Sequence, residues 1–255
     1  MENNLKSNKS EFIIGKNSVK EALVAKRNIN SILVAKNTKS SSLKSIVYAA
    51  KELKIPVKEV EYKKLDSLCE NASHQGIIAT VAAQKYSSVD EIFEVAAQKN
   101  EPPFIIIADE IADPHNLGAI IRTAECAGAH GIIIPARRAV GLNFTVSKAA
   151  AGALEHIKVA RVTNIASTLD ELKKRGLWVF GADMDGQTYC QTDLTGAVAL
   201  VIGSEGFGIS RLIKEKCDII ISLPLCGKIN SLNASVAAGI LMYEVARQRL
   251  NLAAK

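Results

Sequence analysis

Short apolar runs recur along the second part of the chain, and segments with apolar residues at helical spacing separate them. Such runs are typical of strands that are buried on both faces, and their alternation with helices favours a parallel sheet covered on both sides. The predicted strands occupy residues 104–108, 131–134, 157–160, 177–181, 197–202 and 218–223.

The first part of the chain has a similar but smaller pattern. Predicted strands at residues 12–15, 31–35, 57–60 and 76–83 alternate with helical patterns. The polar stretch that follows holds one short helical pattern and ends in two prolines, Pro102 and Pro103. We therefore expect a small α/β domain at residues 1–83, a linker at 84–102 and a larger α/β domain at 103–255.

Composition restricts the class of protein. The chain has 255 residues, 48% of them hydrophobic, which is enough for a packed core, and its apolar runs are far shorter than a membrane span. Its polar N-terminus has no signal-peptide core, so a cytoplasmic protein is expected. Five cysteines without C-x-x-C spacing predict reduced thiols, and the four histidines do not pair with them as zinc ligands, so no metal is expected.

Basic residues are concentrated near the N-terminus. The formal net charge is +6, and fourteen of the 32 lysines and arginines fall within the first 64 residues. This distribution favours a polyanionic partner bound by the first quarter of the chain. Aromatic residues make up only 5% of the sequence, so phosphate contacts rather than base stacking should dominate, with strongly salt-dependent affinity.

The stretch from Ile219 to Ile240 combines a buried strand, a polar turn and the start of a helix. The strand ends at Pro224, which has no N–H for a sheet ladder. Asn233 is placed to cap a helix. Apolar residues then recur at helical spacing, at Val236, Ile240, Tyr243 and Leu250. Ser231 and Asn233 have two interpretations, ordinary capping or the binding of a polar ligand beside free backbone N–H groups.

A second segment follows the strand at residues 104–108. There Pro114 marks a turn, and we expect Asn116 to cap a helix that ends at Gly128 and contains Arg122. Both polar side chains should lie near the carboxyl edge of the sheet, which is where open α/β sheets bind ligands.

A third segment, Val198 to Ser210, runs from a buried strand into a loop with glycines at positions 203, 206 and 208. Glu205 stands between these glycines. Glycine permits close approach of the backbone to a ligand, but the same pattern also fits a plain turn with a solvated glutamate. No G-x-G-x-x-G follows the first strand of the sheet and no P-loop motif occurs, so a dinucleotide fold and a P-loop nucleotidase are not supported.

Together these segments resemble the three motifs of the SpoU family of RNA ribose 2'-O-methyltransferases. Asn116 and Arg122 are six positions apart as in the first motif, residues 203–206 match Gly-x-Glu-Gly, and Pro224 precedes Ser-Leu-Asn at 231–233. The resemblance implies a trefoil-knotted parallel-sheet methyltransferase domain of the SPOUT type after a small α/β substrate-binding domain. It also implies S-adenosyl-L-methionine as cofactor and a homodimer. A knot departs from the general expectation and rests on the family alone.

The resemblance also implies roles for single residues. The implied catalytic residues are Asn116, Arg122, Glu205, Ser231 and Asn233, and the implied cofactor-binding residues are Gly203, Leu223 and Leu232. Arg122 would activate the 2'-hydroxyl, either by accepting its proton or by clamping a phosphate and stabilising the developing oxyanion. Residues 181–186, which follow another predicted strand, either border the cofactor or form a simple turn.

The two-domain layout is most similar to the branch that methylates a guanosine of large-subunit (23S) ribosomal RNA. Residues 15–23 and 73–81 resemble the substrate-binding domain of that branch, although they also fit a helix start and a turn into a strand. The alternatives are a tRNA ribose methyltransferase, a resistance enzyme acting on an adenosine of ribosomal RNA, and a non-catalytic ribosomal assembly factor. The expected partners are large-subunit ribosomal RNA and a second copy of the chain, without a membrane or a metal.

Overall fold

The computed structural model describes residues 11–24, 29–36, 40–69, 73–81, 86–206, 208–229 and 231–252. The chain divides into two compact units, residues 1–84 and residues 85–255. Within the described ranges no helix is long and apolar enough to cross a membrane. Several predicted features lie outside these ranges, namely Lys6, Lys9, Lys26, Arg27, Lys39 and the strand end at residues 82–83.

The first unit is a mixed four-stranded sheet with helices. Its elements are β1 (Glu11–Ile14), α1 (Lys16–Val24), β2 (Ile29–Ala35), α2 (Ser41–Glu52), β3 (Val57–Val60), α3 (Tyr62–Leu68) and β4 (Ile77–Val81). The strand order is β1-β4-β2-β3, with β4 antiparallel to both neighbours and β2 parallel to β3. The predicted small α/β domain is confirmed, because the four observed strands overlap the four predicted ones and alternate with helices.

The second unit alternates strands and helices along the chain. Its strands are β5 (Phe104–Ala108), β6 (Gly131–Pro135), β7 (Lys158–Val162), β8 (Trp178–Thr188), β9 (Val198–Ile202) and β10 (Ile219–Ser222). Its helices are α4 (Val89–Lys99), α5 (Pro114–Cys126), α6 (Phe144–Ala149), α7 (Ile165–Lys174), α8 (Arg211–Lys216) and α9 (Ala234–Arg249). Short 3-10 turns lie at Ala153–Glu155 and Tyr189–Gln191.

The six strands form one parallel sheet in the order β10-β8-β9-β5-β6-β7. Alternate residues of β5 face opposite sides: Phe104 and Ile106 pack with α5 and α9, whereas Ile105 and Ile107 pack with α4 and α7. The sheet is therefore covered on both faces, as the sequence predicts. The trefoil knot stays a prediction.

The stretch predicted as a linker, residues 84–102, holds α4. Ser88 caps this helix in a reciprocal capping box with Glu91. Ile92 is fully buried in the same core cluster as the central strands of the second unit. Most of this stretch is thus part of the second unit, whose boundary with the first lies between residues 84 and 85.

The start of α5 differs from the prediction. Asp113 is the N-cap, with its carboxylate accepting the N–H of His115 at 3.0 Å, and Pro114 is the first helical residue. Asn116 therefore lies inside the first turn, and its expected capping role is wrong. The end of the helix, next to Gly128, agrees with the prediction. Because Asp113 satisfies the backbone, the amide of Asn116 is available for contacts outside the helix.

Helix α9 begins where predicted. Asn233 is its N-cap, and the side-chain oxygen accepts the N–H groups of Ser235 and Val236. The apolar residues whose spacing predicts the helix, at positions 236, 240, 243 and 250, are however exposed. The buried face consists of other residues, Ala234, Ala238, Leu241, Met242 and Val245. α9 thus has two apolar faces, and only one of them packs on the sheet.

Candidate functional site

The loop after β9 folds back on its own strand. The N–H of Ser204 donates to the carbonyl of Gly208 at 3.1 Å, and the N–H of Gly208 donates to the carbonyl of Ser204 at 2.9 Å. A Cβ atom at Gly203 would lie 2.1 Å from the carbonyl carbon of Gly208, so only glycine permits this turn. Glu205 consequently stands on a tightly closed loop and is exposed.

Strand β8 leaves the sheet beside this loop. Its ladder with β10 breaks after Gly181, and residues 182–186 form a bulge. The bulge ends at Gly186, where a Cβ atom would lie 2.5 Å from the carbonyl carbon of Ile220, so glycine is required where the strand rejoins the ladder. The simple-turn interpretation of residues 181–186 is therefore wrong, because they belong to one bulged strand.

A cavity of about 340 Å³ lies between the bulge, the loop after β9 and the start of α9. Small-molecule sites commonly have this size and a largely apolar wall. The predicted site residues in its wall are Gly203, Glu205, Leu223, Ser231 and Leu232. Among the described residues, the charged side chains of the wall are Asp183 and Glu205, and no lysine or arginine lines it.

Three predicted residues meet through their side chains. Asn116 Nδ2 donates to Glu205 Oε1 at 2.7 Å, and Asn233 Nδ2 donates to Asn116 Oδ1 at 3.0 Å and to Glu205 Oε1 at 2.5 Å. The N–H of Ala234 lies 3.4 Å from the same carboxylate oxygen. Asn116 is only 6% exposed, so its amide is fixed in one orientation. One residue from each of the three motifs thus converges on one point.

A second cavity, of about 420 Å³, adjoins the first. Residues 204–206 line both cavities, so Glu205 stands in the wall between them. Asn116 and Arg138 also line the second cavity. Arg138 is 81% exposed and forms an ion pair with Glu110 at 3.4 Å. The guanidinium of an exposed arginine suits a phosphate group, which it can bind with two parallel hydrogen bonds.

Arg122 lies apart from this cluster. The six residues that separate it from Asn116 correspond to about 9 Å along the helix axis and place it on another face of α5. Arg122 is exposed and lines neither cavity. In the part of the chain that the structure describes, it makes no hydrogen bond or ion pair. The expected position beside the carboxyl edge holds for Asn116 and is wrong for Arg122.

Asp109 is a buried carboxyl group, 6% exposed, that directly follows β5. Burial raises its pKa to about 6, with a smaller contribution from the neighbouring charge of Glu110. Burial also raises the pKa of the Cys217 thiol to about 12, so this cysteine is not a thiolate nucleophile at neutral pH. Asp109 therefore retains its proton to a higher pH than an ordinary aspartate does.

Four charged residues of the cavity walls stand outside the predicted set, namely Asp183, Glu110, Asp113 and Arg138. All four follow the buried part of a parallel strand, as Asn116 and Glu205 do. Their position after a strand is the sequence signal that points to them. In the described ranges, no group of three or more histidines, cysteines or carboxylates is arranged to hold a metal ion.

In the first unit, residues 15–23 and 73–81 lie side by side. The N–H of Lys16 donates to Gln75 Oε1 at 3.2 Å, and Lys16 Nζ donates to Ser40 Oγ at 3.3 Å. The start of α1 and the start of α2 therefore share one polar edge. Lysine, amide and hydroxyl groups at such an edge are groups that bind phosphate and ribose.

His74, which precedes this turn, has a structural position. It is 3% exposed, its Nδ1 accepts the N–H of Gly76 at 3.0 Å, and its Nε2 lies 2.9 Å from Asp66 Oδ1. These partners assign the ring proton to Nε2. Since both nitrogens are engaged, His74 orders the turn rather than presenting a free group on the surface.

The sequence of the second unit also matches a known family. A family model described as the SpoU rRNA Methylase family matches residues 103–243, which is more than half of the chain. The chain belongs to this family. A further model, described as RNA 2'-O ribose methyltransferase substrate binding, matches residues 12–87. The SpoU chain is also 51% identical over 244 residues to YacO of Bacillus subtilis (strain 168), which is named for the TrmH family of tRNA/rRNA methyltransferases; the alignment covers 95% of this chain and 98% of that protein.

Solved structures of RNA methyltransferases share the fold. The AdoMet-bound rRNA methyltransferase from Sinorhizobium meliloti aligns with a TM-score of 0.64 at 24% identity and covers 96% of this chain and 88% of that chain. The TrmH/SpoU tRNA modifying enzyme of A. aeolicus aligns with a TM-score of 0.54 at 30% identity, covering 59% of this chain and 77% of that chain. The first alignment thus extends over both units, and the second over a smaller part.

Proposed function

We propose that this SpoU protein transfers a methyl group from S-adenosylmethionine to a ribose 2'-hydroxyl in RNA. The observation that carries the proposal is the meeting of Asn116, Glu205 and Asn233 in the wall between two cavities. The first cavity binds the cofactor, and the second admits the target nucleotide. A SpoU fold solved with AdoMet supports this choice of cofactor.

The residues of the first cavity fit the cofactor. The turn that requires glycine at position 203 lets the backbone of the loop reach the ligand, and Leu223 and Leu232 offer apolar surface for an adenine ring. S-adenosylmethionine supplies an electrophilic methyl group on its sulfonium. Ser231, on the same wall and exposed, is placed to hydrogen-bond a ribose or a phosphate of the substrate.

The other residues of the site position the substrate. Oε1 of Glu205 accepts hydrogen bonds from Asn116 and Asn233, so the carboxylate is held between the cofactor and the nucleotide. Its Oε2 has no donor among the described residues and is available to orient a substrate hydroxyl. Holding the attacking oxygen in line with the methyl group can supply most of the rate enhancement without a covalent intermediate.

We propose a homodimer formed through the exposed face of α9. Val236, Ile240 and Tyr243 are 50%, 39% and 54% exposed and form one stripe along the helix. A contiguous apolar stripe on a surface helix commonly marks an interface between proteins. A second copy of the chain is the natural occupant, because symmetric dimers use the same surface on both subunits.

Arg122 lies on α5, which packs against α9. It precedes Thr123, whose side chain lies 3.7 Å from the position that a Cβ atom of Gly239 would occupy in α9. In such a dimer, an arginine beside the interface is placed to reach the site of the partner subunit. We therefore assign Arg122 to the partner's site, where it either accepts the hydroxyl proton or clamps a phosphate.

Large-subunit ribosomal RNA is the substrate that we favour, with a guanosine as the target. The support is the extent of the structural likeness, since the rRNA methyltransferase covers both units of this chain and the tRNA enzyme covers 59% of it. The polar edge that joins Lys16, Gln75 and Ser40 would contact the RNA backbone. A tRNA substrate is the second candidate, because YacO is named for both kinds of RNA.

The deciding experiment measures transfer of tritiated methyl from S-adenosylmethionine to ribosomal RNA and to bulk tRNA, both from cells that lack the modification. We expect label in large-subunit RNA, mapped to a 2'-oxygen of a guanosine, and none with Glu205→Gln. Label on an adenosine of the same RNA would favour the resistance enzyme, and label in tRNA alone would favour the second candidate. No label in either RNA or in ribosomal precursor particles would favour a non-catalytic assembly factor.

A further inference from the structure

The bulge of β8 brings a carboxylate into the wall of the first cavity. Asp183 lines this cavity, and its side chain is only 17% exposed. Asp185, two residues later on the same bulge, is 83% exposed and does not line the cavity. Bulges redirect side chains that a regular ladder would hold in the sheet. The geometry of β8 thus selects Asp183, and not Asp185, to face the cavity.

A lysine of α8 fixes the orientation of Asp183. Lys214 Nζ lies 3.0 Å from Asp183 Oδ1 and 3.3 Å from Asp185 Oδ2. The hydrogen bond to Asp183 is the largest cause that raises the pKa of Lys214. The other oxygen, Asp183 Oδ2, lies 3.7 Å from the position that a Cβ atom of Gly208 would take. One oxygen is therefore held by the lysine, and the other faces the loop that closes the cavity.

The second oxygen has no partner within the chain. Among the described residues no donor to Asp183 Oδ2 is present. Glu205, the other charged residue of this wall, already accepts hydrogen bonds from Asn116 and Asn233 at its Oε1. Asp183 Oδ2 therefore keeps its capacity to accept a hydrogen bond from a ligand of the cavity.

We propose that Asp183 is a cofactor-binding residue that accepts a hydrogen bond from S-adenosylmethionine. The inference rests on the cofactor assigned under the proposed function. The cofactor has two donors of the required kind, the diol of its ribose and its α-ammonium group, and both form strong hydrogen bonds with carboxylates.

The test is calorimetric titration of the full-length protein, with no RNA present, using two ligands. S-adenosylhomocysteine has both the ribose and the amino acid, whereas 5'-methylthioadenosine has the ribose alone. For Asp183→Asn we expect the Kd of S-adenosylhomocysteine to rise about tenfold or more. An equal loss for 5'-methylthioadenosine identifies the ribose as the donor, and a loss limited to S-adenosylhomocysteine identifies the ammonium group.

Asp185→Asn is the matched control, because it removes the same charge from the same bulge and the same lysine but not from the cavity wall. Its Kd should stay within about twofold of the wild-type value. Lys214→Gln keeps the Asp183 carboxylate but removes the lysine that orients it, and we expect a smaller loss of affinity than for Asp183→Asn. Wild-type affinity in Asp183→Asn for both ligands would overturn the assignment. Absence of binding by the wild-type protein would instead reject the cofactor, and the role of Asp183 with it.

Discussion

Asn116 and Arg122 lie on the same helix and belong to the same motif, yet their surroundings are opposite. Asn116 is 6% exposed, and its amide contacts residues of the two other motifs. Arg122 is exposed and has no partner in the described part of the chain. A single chain therefore assembles the part of the site that contains Asn116 and leaves the arginine outside it.

The contrast separates two kinds of functional residue. A buried polar group that is fully hydrogen-bonded contributes to stability and to function together, because its loss leaves partners unsatisfied. An exposed side chain without partners contributes little to stability and is free to act on a ligand or in a neighbouring subunit. Variants of the two residues should therefore differ in whether stability or activity changes.

Replacement of Arg122 by alanine should have the largest effect on activity. We expect methyl transfer to fall by at least about a hundredfold, because a charged group at the reacting oxygen or phosphate would be lost. The free energy of unfolding should change by less than about 0.5 kcal/mol, since the side chain is exposed. Single-turnover methylation and denaturant unfolding measure the two quantities.

Arg211→Ala is the control for charge, since this side chain is 92% exposed and lies on α8. It should leave single-turnover methylation near the wild-type rate. Arg122→Lys then distinguishes the two roles of the arginine. A lysine can lose a proton but cannot clamp a phosphate with two parallel hydrogen bonds. Retained activity with a shifted pH profile would exclude the clamp, and lost activity at every pH would favour it.

Mixing two inactive variants sharpens the comparison further. If Arg122 acts in the partner's site, a dimer of one Arg122→Ala subunit and one Glu205→Gln subunit has one intact site. After subunit exchange at equal amounts, about a quarter of wild-type activity should return, because half of the dimers are mixed and each has one working site. No recovery would mean that both residues serve the site of their own chain.

The control for this mixture is a variant that cannot dimerise. Tyr243→Asp places a charge in the middle of the exposed stripe of α9, and light scattering should then report a monomer. With this substitution in both inactive variants, mixing should restore nothing. A stable dimer of Tyr243→Asp would place the interface elsewhere on the molecule.

Asn116→Ala should show a smaller loss of activity with a loss of stability. The substitution leaves Asn233 Nδ2 without one acceptor and Glu205 Oε1 without one donor. We expect a cost of about 1–3 kcal/mol in unfolding free energy and a fall of about tenfold in methyl transfer. Unchanged stability with lost activity would show that Asn116 behaves like Arg122, and the contrast between them would fail.

Sequence patterns predicted most of the fold. The predicted strands of the large sheet differ from the observed ones by at most two residues at either end, except β8, because uninterrupted apolar runs leave little choice of boundary. β8 was predicted to end at residue 181 and continues to Thr188. Its bulge, residues 182–186, contains Asp183 and Asp185 and pairs with no residue of β10, so the apolar run that predicts the strand ends before it.

The sequence predicts which residues form the site better than it predicts how they are arranged. Spacing brought Asn116, Glu205 and Asn233 to the same sheet edge, and the structure joins them. A separation of six residues along a helix does not tell which helix face meets a cavity, so the sequence alone does not place Arg122 relative to the cavities. The stripe at positions 236, 240 and 243 predicted a helix correctly, but apolar spacing does not distinguish a core face from an interface.

Asp109 offers a third combination, a buried carboxyl group whose ionisation lowers stability. Its pKa is about 6 in the folded protein, against about 3.9 for an unfolded chain, so the folded state retains the proton longer. Below about pH 4 both states are protonated and the group contributes nothing. Between about pH 4 and 6 the unfolded state releases its proton first, and stability falls; above about pH 6 the cost is constant at up to about 3 kcal/mol.

Asp109→Asn removes this titration. Relative to the wild-type protein, the unfolding free energy of the variant should therefore rise by up to about 3 kcal/mol between pH 4 and pH 7. Trp178, the only tryptophan of the chain, reports unfolding of the second unit by its fluorescence. Glu110→Gln should raise the unfolding free energy relative to the wild-type protein by less over the same pH range, because the charge of Glu110 is the smaller cause of the raised pKa of Asp109. If the difference in unfolding free energy between Asp109→Asn and the wild-type protein did not change with pH, Asp109 would have an ordinary pKa in the folded protein. The reason is that only the titration of Asp109 distinguishes the pH dependence of the two proteins.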